Sequence, residues 1–121
     1  ELYDFQRKYF DRSDFKNQIK QYVGEALDVL DDIKGPFDLV FIDADKANYT
    51  NYFKAVIDKM NPGGVILSDN VLWSGKVTEV PNEKDEDTKA LIIYNQMMNQ
   101  DPRIETILLP IRDGLTLSRV K

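Results

Sequence analysis

Two short stretches of this sequence end in groups that can hold a cation or move a proton. FDLVFI runs into Asp43-Ala44-Asp45-Lys46, and GGVILS runs into Asp69-Asn70. The chain contains no histidine and no cysteine, which removes thiol catalysis, zinc sites built from those side chains, and every triad that needs an imidazole. Oxygen and amine chemistry remains. In open α/β sheets ligands bind beyond the carboxyl ends of the strands. If the two apolar stretches are neighbouring strands, Asp43, Asp69 and Asn70 converge at one sheet edge. They then offer three hard oxygen ligands suited to Mg²⁺, Mn²⁺ or Ca²⁺, with other positions open to water or substrate oxygens. The plainer reading is that acids after strands cap turns or helices, and their pairing on two strands argues against it.

The elements that must position these residues follow from periodicity and breakers. Phe37–Ile42, after Gly35-Pro36, is apolar nearly throughout and reads as a parallel strand covered on both faces. Residues 49–60 read as a helix with Tyr52, Phe53, Val56, Ile57 and Met60 at helical spacing, stopped by Asn61-Pro62-Gly63-Gly64. Residues 65–67 read as a second buried strand leading into Ser68-Asp69-Asn70. Residues 76–88 are polar and charged, as in an exposed loop. A helix follows over residues 87–99, in which Leu91, Tyr94, Gln96 and Met98 form no clean stripe. Ile104–Leu109 and residues 115–120, joined by Pro110-Ile111-Arg112-Asp113-Gly114, suit a β-hairpin.

Upstream, residues 1–10 place Leu2, Phe5, Tyr9 and Phe10 near one helical face, and no cap precedes the first residue. An uncapped start implies that further chain precedes it. Residues 19–23 contain β-formers and read as a strand ending at Gly24, followed by a short helical stretch over residues 26–30. Helix and strand alternate up to a terminal hairpin, which predicts an α/β domain with a sheet that is parallel except at its end.

Composition limits the partners. Sixteen basic against twenty-one acidic residues leave a net charge of -5, so no general field draws the chain to nucleic acid or an anionic membrane. No apolar run approaches the roughly 20 residues needed to span a bilayer, and the first ten residues are not a signal peptide. A soluble, cytoplasmic protein without a membrane partner is expected, with one domain in its 121 residues.

FDLVFIDADKANYTNY, NPGGVILSDNVLWSGKV and DPRIETILLPIRDGLTLSRV, in this order and spacing, resemble the cation-dependent O-methyltransferase family that includes the caffeoyl-coenzyme A and catechol enzymes. The resemblance covers nearly all of the chain. It implies a Rossmann-like class I methyltransferase sheet of which the chain holds the C-terminal part, with the first two strands, the glycine-rich loop and the ribose-binding acid lying upstream. It implies S-adenosylmethionine as cofactor, a divalent cation on Asp43, Asp69 and Asn70, and Lys46 as the catalytic lysine. Gly24, Glu25 and Ala26 match the adenine side of the cofactor site, Ala26 as a direct contact. Asp43 is expected to serve the cofactor site as well as the metal, and Asp45 and Tyr52 match positions at the methionine end. Trp73 resembles an aromatic wall over the substrate ring, and Ser74 stands where plant members commonly carry asparagine, a departure that puts plant-type specificity in doubt.

Plainer readings stand beside these: a solvated helix-start lysine for Lys46, and core packing for Tyr52 and Trp73. The expected acceptor is a small molecule with adjacent oxygens, and a homodimer is expected for the full-length protein. Hydroxylated uridine in tRNA is an alternative acceptor for the same chemistry. A non-catalytic α/β binding module is the alternative outside catalysis. A phosphoacceptor receiver domain also gathers acids at strand ends, but it needs an acidic pair after its first strand and a lysine-proline after its last. This sequence has neither.

Overall fold

The computed structural model describes residues 2–121, so the first residue of the expected opening helix lies outside the described residues. The chain divides into two compact units, Glu1–Ile33 and Lys34–Lys121.

The first unit contains α1, Leu2–Phe10, and α2, Ala26–Asp32. The Phe5 and Tyr9 rings lie 4.9 Å apart on α1, as expected for neighbours four residues apart. Between the helices the backbone forms turns and irregular chain. The strand expected at residues 19–23 is therefore absent, and Val23 is 74% exposed. β-propensity measures fit to a pleated, half-buried surface rather than a backbone preference. No strand of the sheet pairs with this segment, so its β-formers have no ladder to join.

The second unit is built on β1, Phe37–Ile42; β2, Met60–Asp69; β3, Ile104–Leu109; and β4, Leu115–Val120. Their order is β1-β2-β4-β3. β1 and β2 are parallel, while β4 runs antiparallel to both of its neighbours. Three strands thus share one direction and the last opposes them, the expected α/β arrangement in a four-stranded mixed sheet.

Two expectations are corrected around β2. The helix expected over residues 49–60 is α3, Tyr49–Ile57, closed by Asp58. The Asn61-Pro62-Gly63-Gly64 stretch, expected as a stop, belongs to the strand. Phe37 pairs with Met60 and Leu39 already pairs with Val65, with the register shifting between them. Pro62 lies in this irregular stretch, where its missing N–H costs no ladder bond. Gly63 has φ 80°, and a Cβ on Gly64 would stand 2.9 Å from the Asn61 carbonyl oxygen, so the bulge requires both glycines.

α4, Glu86–Gln100, begins where Asp85 accepts a hydrogen bond from the Thr88 amide at 3.1 Å, an N-cap. Its buried residues are Thr88, Leu91, Tyr94 and Met98, a helical stripe after all. Gln96 is exposed, and the threonine at the start completes the pattern in its place. The sheet face carrying Ile42, Ile66, Ser68, Thr116 and Ser118 is buried. Ser68 Oγ lies 2.5 Å from the Tyr94 hydroxyl, and Thr106 donates to the Met98 carbonyl, so α4 packs across this face. No described helix is long and apolar enough to cross a membrane.

Candidate functional site

β1 and β2 are parallel neighbours with Ile42 opposite Ser68, so the residues that follow each strand emerge at the same sheet edge. After β1 the chain makes a short 3-10 turn, Lys46–Asn48, before α3. This turn folds Lys46 back under the loop, where it is 7% exposed. A solvated lysine at a helix start is excluded. Its ammonium has three protons and three oxygen neighbours: the Tyr49 hydroxyl at 2.5 Å, Asn70 Oδ1 at 3.1 Å and Asp43 Oδ1 at 3.5 Å. The same nitrogen lies 4.5 Å from the centre of the Tyr49 ring and 5.7 Å from that of Trp73, within the range of cation–π attraction.

Tyr49 is the residue that sequence reasoning missed. It is fully buried and its hydroxyl donates to the Asp69 carbonyl at 2.9 Å. Burial pushes the phenol pKa well up, with the nearby Asp43 carboxylate adding to the shift, so it remains a protonated donor. A chain of hydrogen bonds therefore runs from the lysine amine through Tyr49 to the backbone of Asp69. Tyr49 stands three residues after Lys46 and four before Phe53, at helical spacing to both, a spacing that a core residue would share.

Asp69 Oδ1 accepts the Asn70 amide at 2.8 Å, and Asn70 adopts φ 60°, a conformation that asparagine tolerates better than most residues. The structure thus brings Asp43, Tyr49, Asn70 and Trp73 around the Lys46 nitrogen, with Asp69 joined to them through its backbone. Among the described residues no three or more Asp, Glu, His or Cys side chains are grouped for a metal. The expected set is instead two carboxylates and one carboxamide, and its hard oxygens are of the type that Mg²⁺ and Ca²⁺ take.

Asp45 is occupied differently. Tyr52 donates to its Oδ1 and Asn48 Nδ2 donates to its Oδ2 at 2.6 Å. The Tyr52 hydrogen bond is the main cause holding this carboxyl below its usual range. Tyr52 is buried on α3, so it packs in the core and also fixes Asp45. Trp73 is half-buried and Ser74 exposed, in a segment where Trp73, Ser74 and Gly75 all have positive φ. Gly24, Glu25 and Ala26 lie in the first unit and are exposed. Gly24 has φ 145°, Glu25 is the N-cap of α2 without a side-chain cap bond, and Ala26 is the first helical residue.

The sequence matches a family model described as O-methyltransferase over residues 1–121. It is 36% identical to caffeoyl-CoA O-methyltransferase 5 of Nicotiana tabacum, over 98% of this chain and 54% of that protein. It is 38% identical to caffeoyl-CoA O-methyltransferase of Pinus taeda, over 98% of this chain and 50% of that protein. Among solved structures, the O-methyltransferase from Bacillus cereus in complex with SAH superposes with a TM-score of 0.87 at 28% identity. That match covers 98% of this chain and 57% of the other. The chain spans about half the length of the curated relatives it matches.

Proposed function

The chain belongs to the O-methyltransferase family, and from that premise we propose that the protein carrying it moves a methyl group from S-adenosylmethionine to a hydroxyl oxygen of a small acceptor with adjacent oxygens, with the help of a divalent cation. One observation carries this reading: a buried lysine amine stands against the side-chain oxygens of Asp43 and Asn70 at the ends of two parallel strands. The SAH bound to the Bacillus cereus relative supports the cofactor assignment.

Asp43, Asp69 and Asn70 would hold the cation. When bound, it supplies Lewis acidity that lowers the pKa of an acceptor hydroxyl. S-adenosylmethionine supplies an electrophilic sulfonium methyl group. Lys46 would hold the developing oxyanion beside its ammonium or, once that ammonium has given one proton to solvent, take up the hydroxyl proton at Nζ. Asp45, whose carboxyl the Tyr52 and Asn48 hydrogen bonds hold below its usual range, would offer a fixed negative charge to the methionine end of the cofactor. Trp73 and Ser74 would border the acceptor, and positioning of its oxygen would supply most of the acceleration.

Asp69→Ala in the full-length protein tests the reading, because it deletes a hard ligand at a strand end without touching the core. Methyl transfer to catechol that depends on added Mg²⁺ is expected to disappear while the circular dichroism spectrum is retained. Activity at the wild-type level with the metal requirement intact would remove Asp69 from the site.

A further inference from the structure

The antiparallel ladder between β2 and β4 reaches Asp69 opposite Leu115 and does not stop there. The Val71 amide donates to the Gly114 carbonyl at 3.1 Å and the Leu72 amide to the Asp113 carbonyl at 3.0 Å. The Ser74 amide then donates to the Asp113 side chain, Oδ1, at 2.5 Å. The turn of the β3–β4 hairpin therefore grips the segment that carries Asn70, Trp73 and Ser74. A carboxylate takes over where the backbone carbonyls run out.

The grip matters because this segment cannot rest on ordinary backbone preferences. Asn70, Trp73 and Ser74 have φ of 60°, 50° and 56°, and Gly75 has 84°. Left-handed non-glycine residues persist only where the surroundings over-determine them. Two further amides close inside the loop, Trp73 to the Asn70 carbonyl and Gly75 to the Leu72 carbonyl. The only bond holding the Ser74 amide comes from Asp113, among the described residues. The hairpin is shaped for close approach: Gly114 has φ 80°, and a Cβ there would stand 2.4 Å from Leu72 Cγ.

We propose that Asp113 and Gly114, on the β3–β4 turn, are positioning residues that set the Trp73-Ser74 wall of the acceptor site. The inference rests on the reading of Trp73 and Ser74 as acceptor-binding residues. Asp113 acts through the Ser74 amide, and Gly114 sets how closely the turn approaches Leu72. The carboxylate is the stronger kind of acceptor, since a hydrogen bond to an ionised group is about twice as strong as a neutral one.

The test uses Asp113→Ala, Asp113→Asn and Gly114→Ala in the full-length protein labelled with 5-fluorotryptophan. The Trp73 resonance is assigned by its loss in Trp73→Phe. In Asp113→Ala this resonance is expected to shift and broaden, and the KM for catechol to rise roughly tenfold with a smaller change in kcat. Asp113→Asn keeps an oxygen acceptor and is expected to restore most of both, which a general loss of stability would not do. Gly114→Ala is expected to move the same resonance through Leu72. An unchanged Trp73 resonance in both Asp113→Ala and Gly114→Ala, or an asparagine variant as impaired as the alanine one, would overturn the proposal. The fluorine signal reads the loop without turnover. A wild-type protein inactive toward catechol, but with Trp73 moved by Asp113→Ala, would therefore refute the functional reading and leave the clamp standing.

Discussion

Lys46 has as many oxygen neighbours as it has protons, and only one of them, the Tyr49 hydroxyl, comes from a core side chain. A hard divalent cation bound there would compete with the lysine for the Asp43 and Asn70 oxygens, whereas Tyr49 bonds the amine and the Asp69 carbonyl. Lys46→Ala is expected to lower turnover by about 10²–10⁴-fold while leaving the S-adenosylmethionine Kd nearly unchanged. A variant that lost cofactor affinity and kept its turnover would assign Lys46 to binding instead. Tyr49→Phe preserves the ring and its edge contact with Tyr94, whose centroid is 5.3 Å away, and removes only the hydroxyl. The Lys46 amine and the carbonyls of Asp69 and Ile42 then lose a bond, at a cost of about 1–3 kcal/mol. Both Tm and turnover should fall, and a variant unchanged in both would deny Tyr49 its part. Asp43, Asp69 and Asn70 stood out in the sequence because polar residues end apolar runs there, whereas Lys46 and Trp73 were singled out only by the family resemblance. Tyr49 was not legible, because an aromatic residue at helical spacing to Phe53 is indistinguishable from core until its hydroxyl is seen to bond the Lys46 amine and the strand-end carbonyls of Asp69 and Ile42.

At the scale of elements, β1, β3 and β4 were legible to the residue, since breakers bound each run: Gly35-Pro36 before β1, and the turn from Pro110 to Gly114 between β3 and β4. β2 was read too short because Pro and Gly are ordinarily punctuation, and only the register beside Phe37 shows them accommodated in a bulge. Residues 19–23 failed in the opposite sense, as β-formers without a partner. The stripe on α4 was obscured because its first inward residue is Thr88, a polar type held beside the N-cap. That cap gives a pH prediction. The hydrogen bonds from Thr88 hold the Asp85 carboxyl below its usual range. A carboxyl lowered by folding stabilises the fold above its unfolded pKa, and the contribution is lost as pH falls through the lower folded value. Asp85→Asn retains a capping oxygen but does not titrate. Between about pH 5 and about pH 2.5 its urea midpoint should therefore fall less than that of the wild type. Parallel midpoints for the two proteins across that interval would show that the cap contributes nothing to acid sensitivity.

The whole molecule divides by how its backbone is satisfied. In the second unit β2 and β4 are flanked on both sides, β1 and β3 on one, and α3 and α4 cover a single sheet face. On the opposite face Phe41, Leu67, Leu117 and Ile107 align across the four strands, and Phe41 and Ile107 remain 56% and 54% exposed. The α/β class was legible from the alternation of elements, because each apolar period points to a layer. The expectation that β1 is covered on both faces is corrected, since Leu39 and Phe41 are 60% and 56% exposed, and an apolar run by itself does not tell which face is covered. In the first unit residues 11–25 have turns but no strand ladder or helix. Exchange protection follows the free energy of local opening, which is lowest where backbone bonds are few and exposed. Native-state hydrogen exchange on the 121-residue chain should accordingly resolve three tiers. The amides of β2 and β4 that bond within the ladder should be slowest, those of the edge strands β1 and β3 intermediate, and those of residues 11–25 fastest. Protection in residues 19–23 equal to that of β4 would mean that this segment has found a strand partner after all, and that the two units open as one.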